Sequence, residues 1–322
     1  MDTPRPGRKP VCDGGGGGLQ PLPMRILFVT SSRIGDAVIS CGILEALRQS
    51  HPQARFTIAC GTVAAGVFTR FPALDRLIIF KKERFDLHWA RLWTKLVPQI
   101  WDLAVDVRGS GLTLALAARK RRILRGGRRP GRRYAQLAAA LGYDPPPLPV
   151  VWTAPADEAK AAALLGEGPF IALAPTANWA GKLWPPERFI NLFYELRRSL
   201  PGARAAVFGG PGAAEAAMAA PVLAGLPGAL DLTGRLTLPE AAACLRRASL
   251  FVGNDSGLMH LAAAAGAPTL GLFGRSRASE YAPAGPRTAI AVAPGPEGEA
   301  PMAGLSVEAA AAAALALLGR GP

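Results

Sequence analysis

The chain has 322 residues, half of them hydrophobic, which at roughly 150 residues per domain points to two domains, each with its own core. Thirty-seven basic against 23 acidic residues leave a net charge of +14, and aromatics at 7% argue against modules that stack RNA bases. Gly (37) and Pro (30) follow no period, excluding a collagen-like chain, and the four cysteines (Cys12, Cys41, Cys60, Cys244) make no C-x-x-C pair, excluding a zinc ribbon or thioredoxin-like motif. Reduced thiols, three of them in or beside apolar stretches, are the expectation.

Residues 1–23 carry prolines and a five-glycine run, Gly14 to Gly18, with no apolar stretch of the kind a secretory signal needs. They are read as a disordered tail, with Met24 opening the first strand. Beyond it, short β-type runs alternate with helical ones, the pattern of α/β architecture with parallel sheets. In the first half the strands are expected at Arg25–Thr30, Arg55–Cys60, Arg76–Phe80, Leu103–Val107 and Arg122–Leu124. Helices are expected near Gly35–Ser50, Val63–Phe71, Leu87–Gln99, Leu112–Ala118 and Arg132–Leu141. The stretch Asp144–Pro149 (DPPPLP) cannot continue a helix and starts a linker.

A second series follows. Its strands are expected at Phe170–Ala174, Ala205–Phe208, Leu250–Val252 and Thr269–Phe273. Its helices fall near Pro186–Leu200, Ala213–Ala224, Pro239–Arg247, Gly257–Ala265 and Val307–Leu318. The C-terminal run Leu305 to Leu318 contains Glu308 and is too short to span a bilayer. Two such halves suggest twin Rossmann-like domains facing across a cleft, and ligands of open α/β sheets bind at the carboxyl ends of the strands.

Three segments stand at such ends. The first, Thr30 to Asp36, puts Gly35 in a tight turn and Asp36 in the first turn of a helix, where a carboxylate either complements the helix dipole or serves as a general base. No G-x-G-x-x-G fingerprint is present there, which weakens a nicotinamide reading. The second, Pro175 to Pro185, carries small and polar residues and then Lys182 between Trp179 and Trp184. A lysine on such a loop suits a phosphate oxygen, although the P-loop spacing is absent and a solvated lysine is the plainer explanation. The third, Gly253 to His260, opens a helix whose free N–H groups make an anion site; Asp255 or Ser256 equally suits an N-cap, and His260 a core histidine.

Together these segments resemble glycosyltransferase family 9, the bacterial ADP-heptose:lipopolysaccharide heptosyltransferases. The run GNDSGLMHLAAAAGAPTLGLFG (Gly253–Gly274) looks like that family's signature, MRILFVTSSRIGDAVIS (Met24–Ser40) resembles its N-terminal R-x-G-D segment, and PTANWAGKLWPPERF (Pro175–Phe189) its donor-phosphate loop. The resemblance spans roughly residues 24–320 and implies a GT-B fold: an acceptor-binding domain over 24–150, a nucleotide-sugar domain over 151–305, and a C-terminal helix within 306–322 returning to the first domain. It implies inverting transfer of heptose from ADP-heptose to the inner core of lipopolysaccharide, with no cofactor and no metal. In that reading Asp36 is the catalytic base and Lys182 steadies the leaving diphosphate. Thr176, Asn178, Glu215, Asp255, Ser256, Gly257 and His260 join Lys182 in binding the donor. Ala177 and Asn178 stand where close relatives carry two hydroxyl residues, which leaves the donor sugar nucleotide open.

One further feature is the run Arg119 to Arg133 (RKRRILRGGRRPGRR), nine basic residues and no acidic one. A solvated loop, a nucleic-acid patch and an anionic membrane or glycolipid surface are its three readings. The resemblance favours the last, with Arg33, Arg128, Arg129, Arg132 and Arg133 facing the acceptor and no nucleic acid as partner. It also implies a cytoplasmic protein, peripheral on the inner face of the bacterial inner membrane. The rival functions are a family 9-like transferase with another sugar nucleotide or acceptor, and a non-catalytic nucleic-acid-binding protein on a degenerate scaffold.

Overall fold

The computed structural model describes residues 23–124 and 130–319. All but the last residue of the expected N-terminal tail lies outside them, as do Cys12, Arg128 and Arg129. The described chain forms two parallel sheets, each covered by helices.

The first sheet has the order β3-β2-β1-β4-β5, with β1 at Arg25–Val29, β2 at Arg55–Gly61, β3 at Leu74–Phe80, β4 at Trp101–Asp106 and β5 at Ala118–Ile123. Helix α1 (Ile34–Ser50) follows β1, α2 (Leu87–Leu96) follows β3, and α3 (Arg133–Ala140) follows β5. The second sheet has the order β11-β10-β9-β6-β7-β8. Its strands are β6 at Phe170–Ala174, β7 at Arg204–Val207, β8 at Leu230–Asp231, β9 at Leu250–Asn254, β10 at Thr269–Phe273 and β11 at Thr288–Val292. Its helices are α4 (Pro155–Leu165), α5 (Pro186–Ser199), α6 (Ala213–Gly225), α7 (Leu238–Arg246), α8 (Gly257–Ala264), α9 (Ala278–Tyr281) and α10 (Val307–Leu318). Central strands covered on both faces read as unbroken apolar runs, and β6 (FIALA) and β10 (TLGLF) are buried throughout.

Strand order reverses between β1 and β4 in one sheet and between β6 and β9 in the other. The crevices of open α/β sheets lie at these reversals. The segments after β1, β6 and β9 are therefore the three that the sequence singles out.

Four expectations change. The helix expected near Val63–Phe71 is a 3₁₀ stretch, Thr62–Val67. Helix α10 does not return to the first domain: it packs on α5, β10 and β11, with Ala310, Ala311, Ala314 and Leu317 in the core of the second domain. Its small side chains let the helix lie close on the sheet. The Trp184 indole N–H, donating to the Leu305 carbonyl at 2.9 Å, and Arg188, donating to the same oxygen, fix where it starts. The helix expected at Leu112–Ala118 is one 3₁₀ turn, Leu112–Ala115, followed by β5. The basic run thus begins as an edge strand, where charged side chains deter pairing with another chain. Arg121 donates to the carbonyls of Thr113, Leu116 and Ala118. Arg119 pairs with Asp102 at 3.2 Å, and Arg122 lies over the Tyr143 ring at 5.3 Å. These three arginines hold the fold locally and are not a free loop.

The domains share a seam. The first turns of α1 and α8 meet, Gly66 packs on Leu238 at the start of α7, and one apolar cluster runs from Phe28 and Ile58 through Ala64, Ala242 and Cys244 to Phe251. Arg70 crosses the seam to Asp157 of α4 at 2.9 Å. Burial pushes the Cys60 thiol up to about 12 and that of Cys244 to about 11, so both stay protonated and unreactive.

Candidate active site between the two sheets

The wall on the first domain begins where β1 ends. Thr30 is buried, its Oγ1 2.9 Å from the Ser40 hydroxyl, which fixes the exit of the chain. Ser31 Oγ accepts the Arg33 N–H at 3.2 Å and donates to Asp36 Oδ2 at 3.4 Å. Asp36 is half-buried, that long hydrogen bond is its single one among the described residues, and Arg33 is exposed beside it. A carboxylate held so loosely keeps lone pairs open toward the cleft.

The opposite wall is built by one buried amide. Asn254, at the end of β9, donates through Nδ2 to the Pro175 carbonyl at 2.8 Å and accepts the Trp184 N–H through Oδ1 at 3.2 Å. Both ends of the loop from Pro175 to Trp184 are thereby tied to the strand end, and Trp184 is buried as its anchor. Lys182, between those ties, reaches Asp255 Oδ2 at 2.6 Å and the Asp255 carbonyl at 3.3 Å. Lys182 keeps 23% of its side-chain surface in solvent while Asp255 keeps 4%. The ammonium is thus positioned by a buried carboxylate and still faces the cleft.

His260 Nε2 stands 3.9 Å from Asp255 Oδ1. Burial pushes the imidazole below its ordinary pKa of 6.5, against the pull of Asp255 and Asp36, so the ring is neutral near pH 7. Ser256 precedes α8 as its N-cap residue, and its buried hydroxyl has no partner among the described residues. The orphan hydroxyl and the first turn of α8 directly follow the carboxylate that holds the Lys182 ammonium, a combination that suits a phosphate.

Two glycines bring the walls together. A Cβ on Gly35 would lie 2.9 Å from His260 Cδ2, and one on Gly257 2.8 Å from Ile34 Cβ. Larger residues at either position would push the first turns of α1 and α8 apart, and Asp36 away from His260.

Thr176 and Glu215 form the outer end of the second wall. Thr176 is buried, Glu215 Oε2 accepts the Gly210 N–H at 2.8 Å, and a Cβ on Gly209 would lie within 3.5 Å of both side chains. Asn178 is exposed on the loop. Arg132 is exposed and Arg133 donates to Gln136 Oε1 at 3.2 Å, both at the start of α3. Among the described residues no group of three or more His, Cys, Asp or Glu is arranged to hold a metal ion.

Sequence reasoning passed over two residues. Asn254 reads as part of a strand-end motif, and nothing local reveals that its amide ties down a loop 70 residues earlier. Asp106, buried at the end of β4, accepts the N–H groups of Arg108, Gly109 and Ser110 and the Ser110 hydroxyl. The D-V-R-G-S pattern after a strand carried that signal, an aspartate bonding to backbone two to four residues on. It shapes the loop on the other side of the first reversal and places Arg108 over Phe80 and Trp89.

Known proteins share this fold and part of this sequence. The family model "Glycosyltransferase family 9 (heptosyltransferase)" matches residues 89–302. The lipooligosaccharide heptosyltransferase 2 of Haemophilus influenzae is 25% identical over 81% of this chain and 86% of its own. A glycosyl transferase family 9 structure from Veillonella parvula superposes with a TM-score of 0.78 at 20% identity, covering 94% of this chain and 99% of that one. The E. coli heptosyltransferase WaaC solved with ADP gives 0.69 at 20% identity, over 89% and 97%. The fold is therefore GT-B, and with more than half of its length matched by the family model, the chain belongs to glycosyltransferase family 9, the heptosyltransferases.

Proposed function

We propose that this chain transfers heptose from ADP-heptose, with inversion, to an acceptor of the lipopolysaccharide inner core. The observation that carries the reading is the pairing of Lys182 with Asp255 on one wall, across two abutting glycines from Asp36 on the other. Relatives named as heptosyltransferases, one of them solved with ADP, support the donor.

In this mechanism Asp36 takes the proton from an acceptor hydroxyl as its oxygen attacks the anomeric carbon. The bond from that carbon to the diphosphate oxygen breaks on the opposite face, and ADP leaves with the electron pair. The developing negative charge meets Lys182, the Ser256 hydroxyl and the N–H groups of Gly257 and its neighbours. Asp255 holds the ammonium in place before the diphosphate arrives, and His260 packs neutral behind it. Thr176, Asn178 and Glu215 line the nucleotide end. The donor thus belongs to residues 151–305 and the acceptor to residues 24–150, where Arg33, Arg132 and Arg133 offer cations for acidic groups. Arg128 and Arg129, assigned the same role, lie outside the described residues. Among the described residues no helix is long and apolar enough to cross a membrane. The same reading has the enzyme work from the cytoplasmic side on the inner membrane surface.

Titration calorimetry with ADP, UDP and GDP tests the donor, with ADP expected to bind most tightly. Mass spectrometry of lipopolysaccharide cores from a deletion strain tests the product. A core lacking one heptose, restored by the wild-type gene but not by Asp36→Asn, is the expected result, and an intact core in the deletion strain refutes it.

A further inference from the structure

The segment after β3 carries an unexplained combination. β3 ends at Phe80, in register with Gly61 of β2, and the chain leaves the sheet at the carboxyl edge from which Asp36 also projects. Lys81, Lys82 and Arg84 follow, all exposed. Phe85 and Asp86 then adopt φ of +56° and +55°, two consecutive non-glycine residues in the left-handed region that such residues seldom occupy. The result is a Phe85 ring 87% exposed, with Leu87 beside it 53% exposed at the start of α2. The ordinary alternative, a buried Phe85, is not taken, although Phe80 and Trp89 nearby already form an aromatic cluster with His88.

We propose that Phe85 and Leu87 form a shallow anchor that inserts into the interface of an anionic bilayer, with Lys81, Lys82 and Arg84 meeting the headgroups. The charges complement such a surface: Glu83 is paired with Arg91 at 2.5 Å, leaving three exposed cations against the exposed carboxylate of Asp86. An apolar tip ringed by cations is the arrangement that binds through both buried area and electrostatic attraction. The guanidinium of Arg84 lies 5.6 Å from the Phe85 ring, so charge and apolar surface act as one unit. Docked this way, the carboxyl edge of the first sheet, with Asp36, turns toward the membrane. This anchor does not depend on which sugar is transferred.

The test is co-sedimentation of the full-length protein with acceptor-free vesicles of phosphatidylglycerol and phosphatidylethanolamine. Burying one phenylalanine or leucine side chain is worth about tenfold or more in partition, so Phe85→Ser/Leu87→Ser is expected to lower vesicle binding by at least about tenfold. Its melting temperature and ADP affinity stay as in wild type, because neither residue supports the core or the donor wall. Replacing Lys81, Lys82 and Arg84 by glutamine is expected to lower binding to these vesicles and to have little effect on binding to neutral ones. A Phe85→Trp protein gives a depth readout, with brominated lipid quenching it more than wild type. The proposal is overturned if the double serine variant binds vesicles as well as wild type, or if Phe85→Trp gains no quenching. It is equally overturned if sedimentation equilibrium shows a dimer that the serine changes dissolve, which would make the patch a contact between copies. A protein that fails to transfer heptose but binds these vesicles through Phe85 leaves the anchor standing and refutes only the reaction.

Discussion

At the scale of single residues, Asp36, Lys182 and His260 sit within one cluster yet carry different structural loads, so their variants separate. Among the described residues Asp36 has one long hydrogen bond, to Ser31. Asp36→Asn is therefore expected to lower kcat by roughly 10²–10⁴-fold, with stability changed by no more than about 0.5 kcal/mol; kinetics and a thermal melt check both halves. Lys182 does two things. In the proposed mechanism Lys182→Ala is expected to remove about 2–4 kcal/mol of transition-state stabilisation, and it also leaves Asp255 buried without its cation, which costs about 1–3 kcal/mol given the partial exposure of Lys182. Adding Asp255→Asn is expected to restore the melting temperature and not the turnover; a double variant that recovers both would show that Lys182 serves only the fold. His260 is held neutral by burial, so its folded-state pKa lies below that of the unfolded chain, near 6.5. The unfolded state then binds the proton first. The contribution of the neutral ring is complete above about pH 6.5 and lost as pH falls through that value toward the folded pKa. Melting temperatures of wild type and His260→Gln, measured between about pH 5 and 8, are expected to converge toward the acid end.

At the scale of elements, the site depends on how closely two helix starts approach. Ala in place of Gly257 sets a methyl 2.8 Å from Ile34 Cβ, where α1 cannot yield without moving Asp36. Overpacking of this kind costs about 1–3 kcal/mol, and a displacement near 1 Å at a reacting group costs about 10²-fold in rate. Gly257→Ala is expected to lose both, with Ile34→Ala in the same chain returning part of each; unchanged kcat in Gly257→Ala would refute the close approach. The elements that carry this site were legible because their strands are fully buried and thus continuous apolar runs, as in β6 and β10, with chemistry-bearing residues directly after them. Of β5 only the last two residues, Arg122 and Ile123, were legible, because an edge strand charged on both faces lacks either period, and its start in ARKRRI shows only where the backbone pairs with β4. The destination of α10 was hidden for a different reason. An alanine-rich helix announces a close approach to something, and only Trp184 and Arg188, more than 100 residues earlier, decide to what.

At the scale of the whole molecule, the two sheets look like independent domains in sequence, separated by a proline-rich linker, and the structure joins them. The apolar cluster that starts on β1 and β2 continues through Ala64 and Ala65 to α7 and α8 without a polar break. Gly42 receives the linker directly, since a Cβ there would lie 2.5 Å from the Pro147 carbonyl. Cores that share buried side chains unfold together, so calorimetry is expected to show one transition, and ADP, bound to one domain, to raise it as a whole. Two transitions, with ADP moving only one, would show that the seam is not a shared core. The Arg70–Asp157 pair gives this seam a pH dependence. The hydrogen bonds from Arg70 hold the Asp157 carboxyl below its ordinary 3.8, and burial opposes them more weakly. A carboxylate lowered in the folded state adds stability that is present above the unfolded value and lost as pH falls through the folded one. Arg70→Ala is therefore expected to melt below wild type at neutral pH, still in one transition, with the gap closing as pH drops below about 3.8. A gap that persists unchanged in acid would mean that Arg70 acts through its packing and not through Asp157.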